Sequence, residues 1–399
     1  MYSALLYGRQ ALRVRTTALL LAFVPLLAFR AVAQTASSAP PLPEGSWRFI
    51  VSGDSRNCGD IVVPAIAAHS SVFTPTFYWH LGDLRAIYKI DEDIAFNRAS
   101  EGLRMSCETY QRIAWQDFVA NQVGAFGNLP VYVGIGNHET MPPKGEDVFK
   151  REFADWLDQP TLRHQRETDR EPAQPESYYH WVQSGVDFIY LDNSSDCFSD
   201  QQMAWFRHRL ATAKVDENIK SIVVGMHEAL PGSFAKDHSM GDKVDEPLSL
   251  KSGSEAYAAL LEFRKLKPVY VLASHSHFFM ENIFSTPELA SKGVDPLPGW
   301  IIGTAGAERR ALPDVRPAAP AKSQTDTYGY LLGTVSSDGK IQFSYEEVHE
   351  ADVPQYVWGR YPAKSILWCF EKNSRNKEPK APDLTLNCNS PRVPTCGHP

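Results

Sequence analysis

Residues 131–139 read Val-Tyr-Val-Gly-Ile-Gly-Asn-His-Glu. An apolar, β-branched run stops at a glycine and then presents an amide, an imidazole and a carboxylate. The run is short for a helix and suits a pleated surface, so it predicts a strand ending in a polar loop. The pattern recurs four times. Trp47–Ser52 ends in Gly53-Asp54, and Phe77–Leu81 ends in Gly82-Asp83. Ile222–Met226 ends in His227, and Val269–Ala273 leads into His275-Ser276-His277. In an open α/β sheet, loops at the carboxyl ends of neighbouring strands converge on one crevice. Two carboxylates, one amide and three imidazoles are therefore expected to meet there, a ligand set for a two-metal site.

Between these strands, Asp60–Ser70, Tyr110–Phe126, Glu146–Leu157, Asp200–Lys214 and Ser254–Lys265 read as helices. The alternation predicts an α/β core with mostly parallel strands. Past His277 the texture changes. Phe278–Phe284, Gly299–Thr304, Tyr328–Val335 and Ile341–Val348 are strand runs, and Ser337-Asp338-Gly339 is a turn joining the last two. They predict a second, antiparallel sheet packed on the first. Three polar insertions, Arg85–Cys107, Arg163–Ser177 and Ala311–Asp326, read as functional rims or disordered loops. The aromatics Tyr88, Phe96, Tyr178, Tyr179 and Trp181 near the first two suit surface packing, or stacking on a base or sugar.

The first 33 residues carry Arg9, Arg13 and Arg15, then the apolar stretch Ala18–Phe29, then Ala31-Val32-Ala33. That order is a secretory leader, and the apolar stretch falls well short of the ~20 residues a membrane span needs. A signal peptide over 1–33, a Ser/Pro-rich linker over 34–46, a catalytic domain over 47–350 and a Pro/Cys-containing tail over 351–399 are expected. The protein would be secreted or periplasmic, with no stable membrane anchor. Removing the leader takes away four arginines and no acid, so the formal charge moves from −7 to about −11. A chain that acidic, without clustered Lys and Arg, is a poor binder of nucleic acid. Cys58, Cys107, Cys197, Cys369, Cys388 and Cys396 all follow the leader, which favours disulfides. Spacing leaves the pairing open; the expectation is Cys388 with Cys396 and Cys58 with Cys107.

The ordered set Gly-Asp, Gly-Asp, Gly-Asn-His-Glu, His, His-x-His resembles the calcineurin-like metallophosphoesterases, in particular their purple acid phosphatase branch. The resemblance spans about Phe49 to His277. It implies a four-layer α-β-β-α sandwich of two mixed sheets flanked by helices, with metal ligands on the loops after the strands. By resemblance, Asp54, Asp83 and His277 match ligands of a first ion. Asp83, as the bridge, joins Asn137, His227 and His275 around a second. The ions would be divalent or trivalent Mn, Fe or Zn. A water held by both would attack phosphorus in line. His138 would bind the phosphoryl group or protonate the leaving oxygen, and Asn137 and His238 would border the substrate.

The chain also departs from that pattern. Most members read Asp-x-His at the first cluster, whereas Arg56 stands at the third position here. The Tyr that purple acid phosphatases place three residues after the bridging Asp is Ala86, with Tyr88 two residues further on. A guanidinium ~6 Å from a divalent ion costs about 5 kcal/mol at an effective dielectric of 20. Arg56 therefore either points away, paired with an acid such as Asp60, or clamps substrate phosphate bidentately. The second reading is favoured. It leaves one tight ion and a first ion more weakly bound, with no Fe(III)-phenolate colour.

The resulting expectation is a metal-dependent phosphoesterase acting on a small phosphorylated substrate, a mono- or diester. A non-catalytic envelope protein with the same fold and a degraded first metal site is one rival. The other is a Ser55-dependent SGNH-type esterase, suggested by Gly53-Asp54-Ser55. That family needs Asp three residues before its His, and none of the twelve histidines has it.

Overall fold

The structure, a computed structural model, describes residues 41–100, 102, 105–235, 238–242, 247–293, 295–314, 321–375 and 388. The expected leader, the first part of the linker and Cys396 lie outside the described residues. None of the described helices is long and apolar enough to cross a membrane.

The first sheet is built on β1 (Trp47–Ser52), β2 (Tyr78–His80) and β3 (Val131–Val133). The second uses β4 (Tyr179–Gln183), β5 (Val186–Leu191), β6 (Ser221–Met226), β7 (Val269–Ala273), β8 (Phe279–Glu281), β9 (Gly299–Ile302) and β10 (Ser323–Gln324). Finally β11 (Gly329–Val335) and β12 (Ile341–Glu347) return to the first sheet. The orders are β12-β11-β1-β2-β3 and β10-β8-β9-β7-β6-β5-β4. Within them β1, β2 and β3 are parallel, as are β5, β6, β7 and β9. Hence the strands after His277 do not form a separate sheet. β8, β9 and β10 extend the second sheet, and β11 adds antiparallel to β1. Alternation marks a run as a strand but does not say which edge it will join.

Period-two burial explains the layering. On β6 and β7, Val223 and Leu272 face the core between the sheets. Their neighbours Ile222, Val224, Val271 and Ala273 face outward, against Met203, Phe206 and Leu210 of the helix Asp200–Val215 and Leu260 of the helix Pro247–Arg264. The helices Gly59–Ser70 and Cys107–Asn121 cover the first sheet with Ile61, Ile66, Trp115 and Phe118. Between the sheets, aromatic rings interlock edge to face. Phe49 meets Phe188 at 5.0 Å, Phe77 meets Phe188 at 5.1 Å, and Trp79 meets Trp181 at 5.2 Å. Each such pair adds about 0.5–1.5 kcal/mol beyond the burial of its area. This is the expected sandwich of two mixed sheets flanked by helices.

Several boundaries differ from expectation. The stretch Glu146–Leu157 is two helices, Glu146–Glu152 and Ala154–Leu157, and the helix expected at Ser254 begins at Pro247. Arg85–Cys107 is no bare loop. It carries the helix Glu92–Ser100, and Arg85 is fully buried among Asp60, Asp93 and Asp117. The helix Pro160–Asp169 begins the second insertion. Phe96, Tyr179 and Trp181 are buried, so they pack in the interior and cannot stack on a ligand.

The cysteine pairing is corrected as well. Cys58 pairs with Cys369, and Cys107 with Cys388; Cys197 is disulfide-bonded too. Cys369 sits in the helix Ala363–Glu371, which packs beside the start of the helix Gly59–Ser70, so the bond spans 311 positions. Nothing local in the sequence points to so distant a partner.

Candidate metal centre

The carboxyl ends of β1, β2 and β3 in one sheet, and of β6 and β7 in the other, open onto the same cleft. There Asp54, Asp83, His227 and His275 bring one donor atom each to within 4.8 Å of one another. Asn137 completes the group, its amide oxygen 3.1 Å from His227 Nε2. Residues from five distant stretches are thus assembled at one point.

Backbone fit makes this approach possible. Gly82 has φ +96°, and a Cβ there would meet the Gly136 nitrogen at 2.6 Å. A Cβ on Gly136 would meet Asp83 Oδ1 at 2.5 Å. No other residue type lets the second and third loops press so closely. Asp54, Asp83 and His275 all sit near φ +60°. For side-chain-bearing residues this conformation is uncommon and collects at functional sites.

The hydrogen bonds fix which lone pairs face the cleft. His227 Nδ1 lies 3.0 Å from Ser274 Oγ and 3.1 Å from the Leu81 carbonyl oxygen. Its proton is therefore on Nδ1, and the Nε2 lone pair points inward. Nε2 is 3.0 Å from His275 Nδ1, 3.2 Å from Asp83 Oδ1 and 3.1 Å from Asn137 Oδ1, and the two oxygens have no proton to offer. Asp54 Oδ2 accepts from the His275 backbone N–H at 2.7 Å. Asp54 Oδ1 and Asp83 Oδ2 are buried and receive no hydrogen bond. Acceptors packed against acceptors, with buried carboxylate oxygens left over, are costly unless a cation lies among them. Burial, His227 and His238 hold the His275 pKa well below the usual histidine value, so this imidazole stays neutral and fit to ligate.

Two polar residues steady the centre, and sequence reading assigned them no role. Glu139 accepts from the backbone N–H groups of Asp83 and Gly136, each at 2.8 Å, and of Leu84 at 3.0 Å. It fastens the second loop to the third, and its place in Gly136-Asn137-His138-Glu139 was the available signal. Asn193 accepts from the N–H groups of His227 at 3.2 Å and Glu228 at 3.1 Å. It follows β5, a strand that supplies no ligand, so nothing in the sequence singled it out.

The remaining expected residues fall as follows. His138 Nδ1 donates to the Ala86 carbonyl at 2.7 Å, leaving Nε2 toward Asp83 Oδ2 at 3.6 Å. Burial, with Arg56 adding, pushes its pKa down to about 3. His238 Nδ1 is 3.1 Å from His275 Nε2, and its other nitrogen meets Arg310, a second cation at the site that sequence reading missed. Ser55 is buried, and its hydroxyl donates to the Leu84 carbonyl at 3.4 Å. No histidine contacts Ser55 among the described residues.

Arg56 neither points away nor pairs with Asp60, which belongs to Arg85. The side chain is buried. Its Nη2 donates to His277 Nε2 at 3.0 Å, and its Nε lies 3.4 Å from Asp83 Oδ2. His277 Nδ1 donates to the Glu308 carbonyl at 2.6 Å, so Nε2 is its one lone pair, and Arg56 takes it. Burial opposes the arginine charge, but Asp83, Tyr88 and Asp54 outweigh it and raise the pKa above the ordinary value. A divalent ion placed ~4 Å from this guanidinium would be repelled by roughly 8 kcal/mol at an effective dielectric of 20. The donor set thus fits one ion at Asp54, Asp83, Asn137, His227 and His275. It does not fit another between Asp83 and His277.

Asp169, Glu171 and His180 form a second group whose donor atoms lie equally close, on other elements. His180 donates from Nδ1 to Asp187 at 2.8 Å and from Nε2 to Asp169 at 2.7 Å. Arg209 lies 2.7 Å from Asp169 and 3.6 Å from Glu171.

No protein-family profile matches the chain, and no curated protein sequence matches it. Among solved structures it superposes on the purple acid phosphatase PPD1 from yellow lupin (Lupinus luteus) seeds. The TM-score is 0.52 at 13% identity, over 78% of this chain and 53% of that one. The fold is that of the calcineurin-like metallophosphoesterases. This chain spans about half the length of the lupin structure. Two further structures align more loosely. PhoD gives a TM-score of 0.44 at 15% identity, over 77% of this chain and 70% of that one. A 5'-nucleotidase from Candida albicans gives 0.42 at 12%, over 82% and 57%.

Proposed function

We propose that the protein is an exported, metal-dependent phosphoesterase acting on small phosphate mono- or diesters. One observation carries this reading: at the carboxyl ends of parallel strands from both sheets, Asp54, Asp83, His227 and His275 gather one ligand atom each within 4.8 Å, with the Asn137 amide oxygen beside them. An ion held by Asp54, Asp83, Asn137, His227 and His275 would polarise a phosphoryl oxygen and lower the pKa of a water, the chemistry that ester hydrolysis needs.

The chain's own residues would do the rest. Arg56 and Arg310 supply fixed positive charge for the phosphoryl oxygens. Arg56 Nη1 makes no hydrogen bond among the described residues and is the group left to meet them. His138 Nε2 and His238 border the same opening. Glu139 and Asn193 hold the ligand loops so that little reorganisation accompanies the reaction. The Arg-rich, then apolar, leader and the disulfides favour export to an oxidising compartment. A Ser55 nucleophile is disfavoured because no imidazole lies beside it.

The test is turnover of an aryl phosphate by the purified chain supplied separately with Mn²⁺, Zn²⁺ and Fe²⁺. Turnover that a chelator removes and a serine-directed phosphonate leaves intact is expected. Hydrolysis of no phosphate ester with any of these ions would defeat the proposal.

A further inference from the structure

We infer that the Arg56 guanidinium takes the place of one of the two cations expected from the ligand pattern in the sequence, so that the chain binds a single divalent ion. This rests on the metal-centre reading above but not on catalysis. Four observations lead to it. The donors nearest Arg56 are Asp83 Oδ2 and His277 Nε2, at 3.4 Å and 3.0 Å. A first cation would need those two atoms. The tautomer of His277 is fixed by its Nδ1 proton on the Glu308 carbonyl, so the ring has no second lone pair to offer. Asp54 Oδ1, the third donor expected there, lies 3.2 Å from His277 Nε2, so Arg56 contacts two of the three atoms a first cation would use.

The arginine is also held in place. Asn57 N–H donates to Asp91 Oδ1 at 2.6 Å, and Asn57 Nδ2 donates to Glu92 Oε2 at 2.7 Å. Asp93 N–H returns a bond to the Asn57 carbonyl at 2.8 Å. Arg56 is 7% exposed, and the loop that bears it is tied through Asn57 to the start of the helix Glu92–Ser100. The insertion after β2 thus clamps the residue that carries the built-in charge. A guanidinium supplies one positive charge where an ion would supply two or three. It cannot hold a water for attack, since it has donors and no coordination site. Its part is to offset the charge of Asp83 and to bind an oxygen of the substrate phosphate.

Metal counting on the full chain tests this. The protein is stripped of metal, loaded with excess Mn²⁺, desalted and analysed for manganese per chain. One ion per chain is expected, with the hyperfine pattern of isolated Mn²⁺ in electron paramagnetic resonance. Arg56→His, which frees His277 Nε2 and adds an imidazole, should raise the count to two and give an exchange-coupled pair. Two ions in the unaltered chain would overturn the inference, as would a folded Arg56→His that still holds one. Should Arg56→His lose its cooperative thermal transition, Arg56→Gln replaces it, with a second, weaker binding event expected and its absence counting against the idea. Metal counts are independent of turnover. A chain that binds one ion and hydrolyses nothing would sink the proposed activity and leave this inference standing.

Discussion

Two clusters in this molecule are built from the same parts, carboxylates and imidazoles packed close enough to ligate a metal, yet only one is arranged to do so. Around His180 both ring nitrogens donate to carboxylates, and Arg209 joins the same group. Burial alone would lower the His180 pKa, but Asp187 and Asp169 reverse this and raise it to about 9. The ring is an imidazolium, and no lone pair is left. Around His227 the opposite holds: its Nδ1 proton points outward to Ser274 and the Leu81 carbonyl, its Nε2 lone pair points inward, and burial keeps the neighbouring His275 neutral. Counting ligating residues does not separate the two clusters. Following each proton does.

Three experiments would break or sharpen that contrast. The largest effect is expected from Asp83→Asn, which replaces the most central carboxylate by an amide. Turnover of an aryl phosphate with added Mn²⁺ should fall by about a thousandfold or more, the scale of several kcal/mol of lost charge stabilisation. An Asp83→Asn variant close to full activity would place the chemistry elsewhere.

Next comes a matched pair. His227→Ala should weaken Mn²⁺ binding by roughly a hundredfold in calorimetric titration, whereas His180→Gln should leave it within a factor of about two. Equal losses would mean that the two clusters do not differ as described.

The smallest effect concerns pH. The folded pKa of His180 lies above its ordinary value, so its stabilisation is fully present below pH 6.5 and is lost as pH rises through about 9. The shift corresponds to about 3 kcal/mol at full effect. Thermal melts from pH 6 to 10 should show this decline, worth roughly a few degrees in Tm, and His180→Gln should flatten it. A variant with the same slope as the parent would refute the imidazolium assignment.

Much of this was legible in the sequence. Asp54, Asp83 and Asn137 each follow a glycine, His227 directly follows an apolar strand, and His275 and His277 stand two and four positions after one, so these positions could be read before any geometry. What stayed hidden depends on three-dimensional accounting. Arg56 was seen as a departure, but its seat between Asp83 and His277 emerges only when the hydrogen bonds are traced. Arg310 and Asn193 lie in stretches with no periodic or motif signal. The partners of Cys58 and Cys388 are set by where the helix Ala363–Glu371 and Cys388 itself lie in space. Strand runs such as Gly329–Val335 announce their conformation and stay silent about which sheet they join.

The Cys58–Cys369 bond has one more consequence. Cys58 is two positions from Arg56 and four from Asp54, so the bridge anchors the loop after β1 to the helix Ala363–Glu371, 311 positions further on. A ribosome must therefore have released the chain through Cys369 before that loop can acquire its covalent tether. In a reducing compartment the loop would have to rely on packing alone. Under the proposed metal reading, the shape of this loop is tied to synthesis through Cys369 and to conditions that let the bond form.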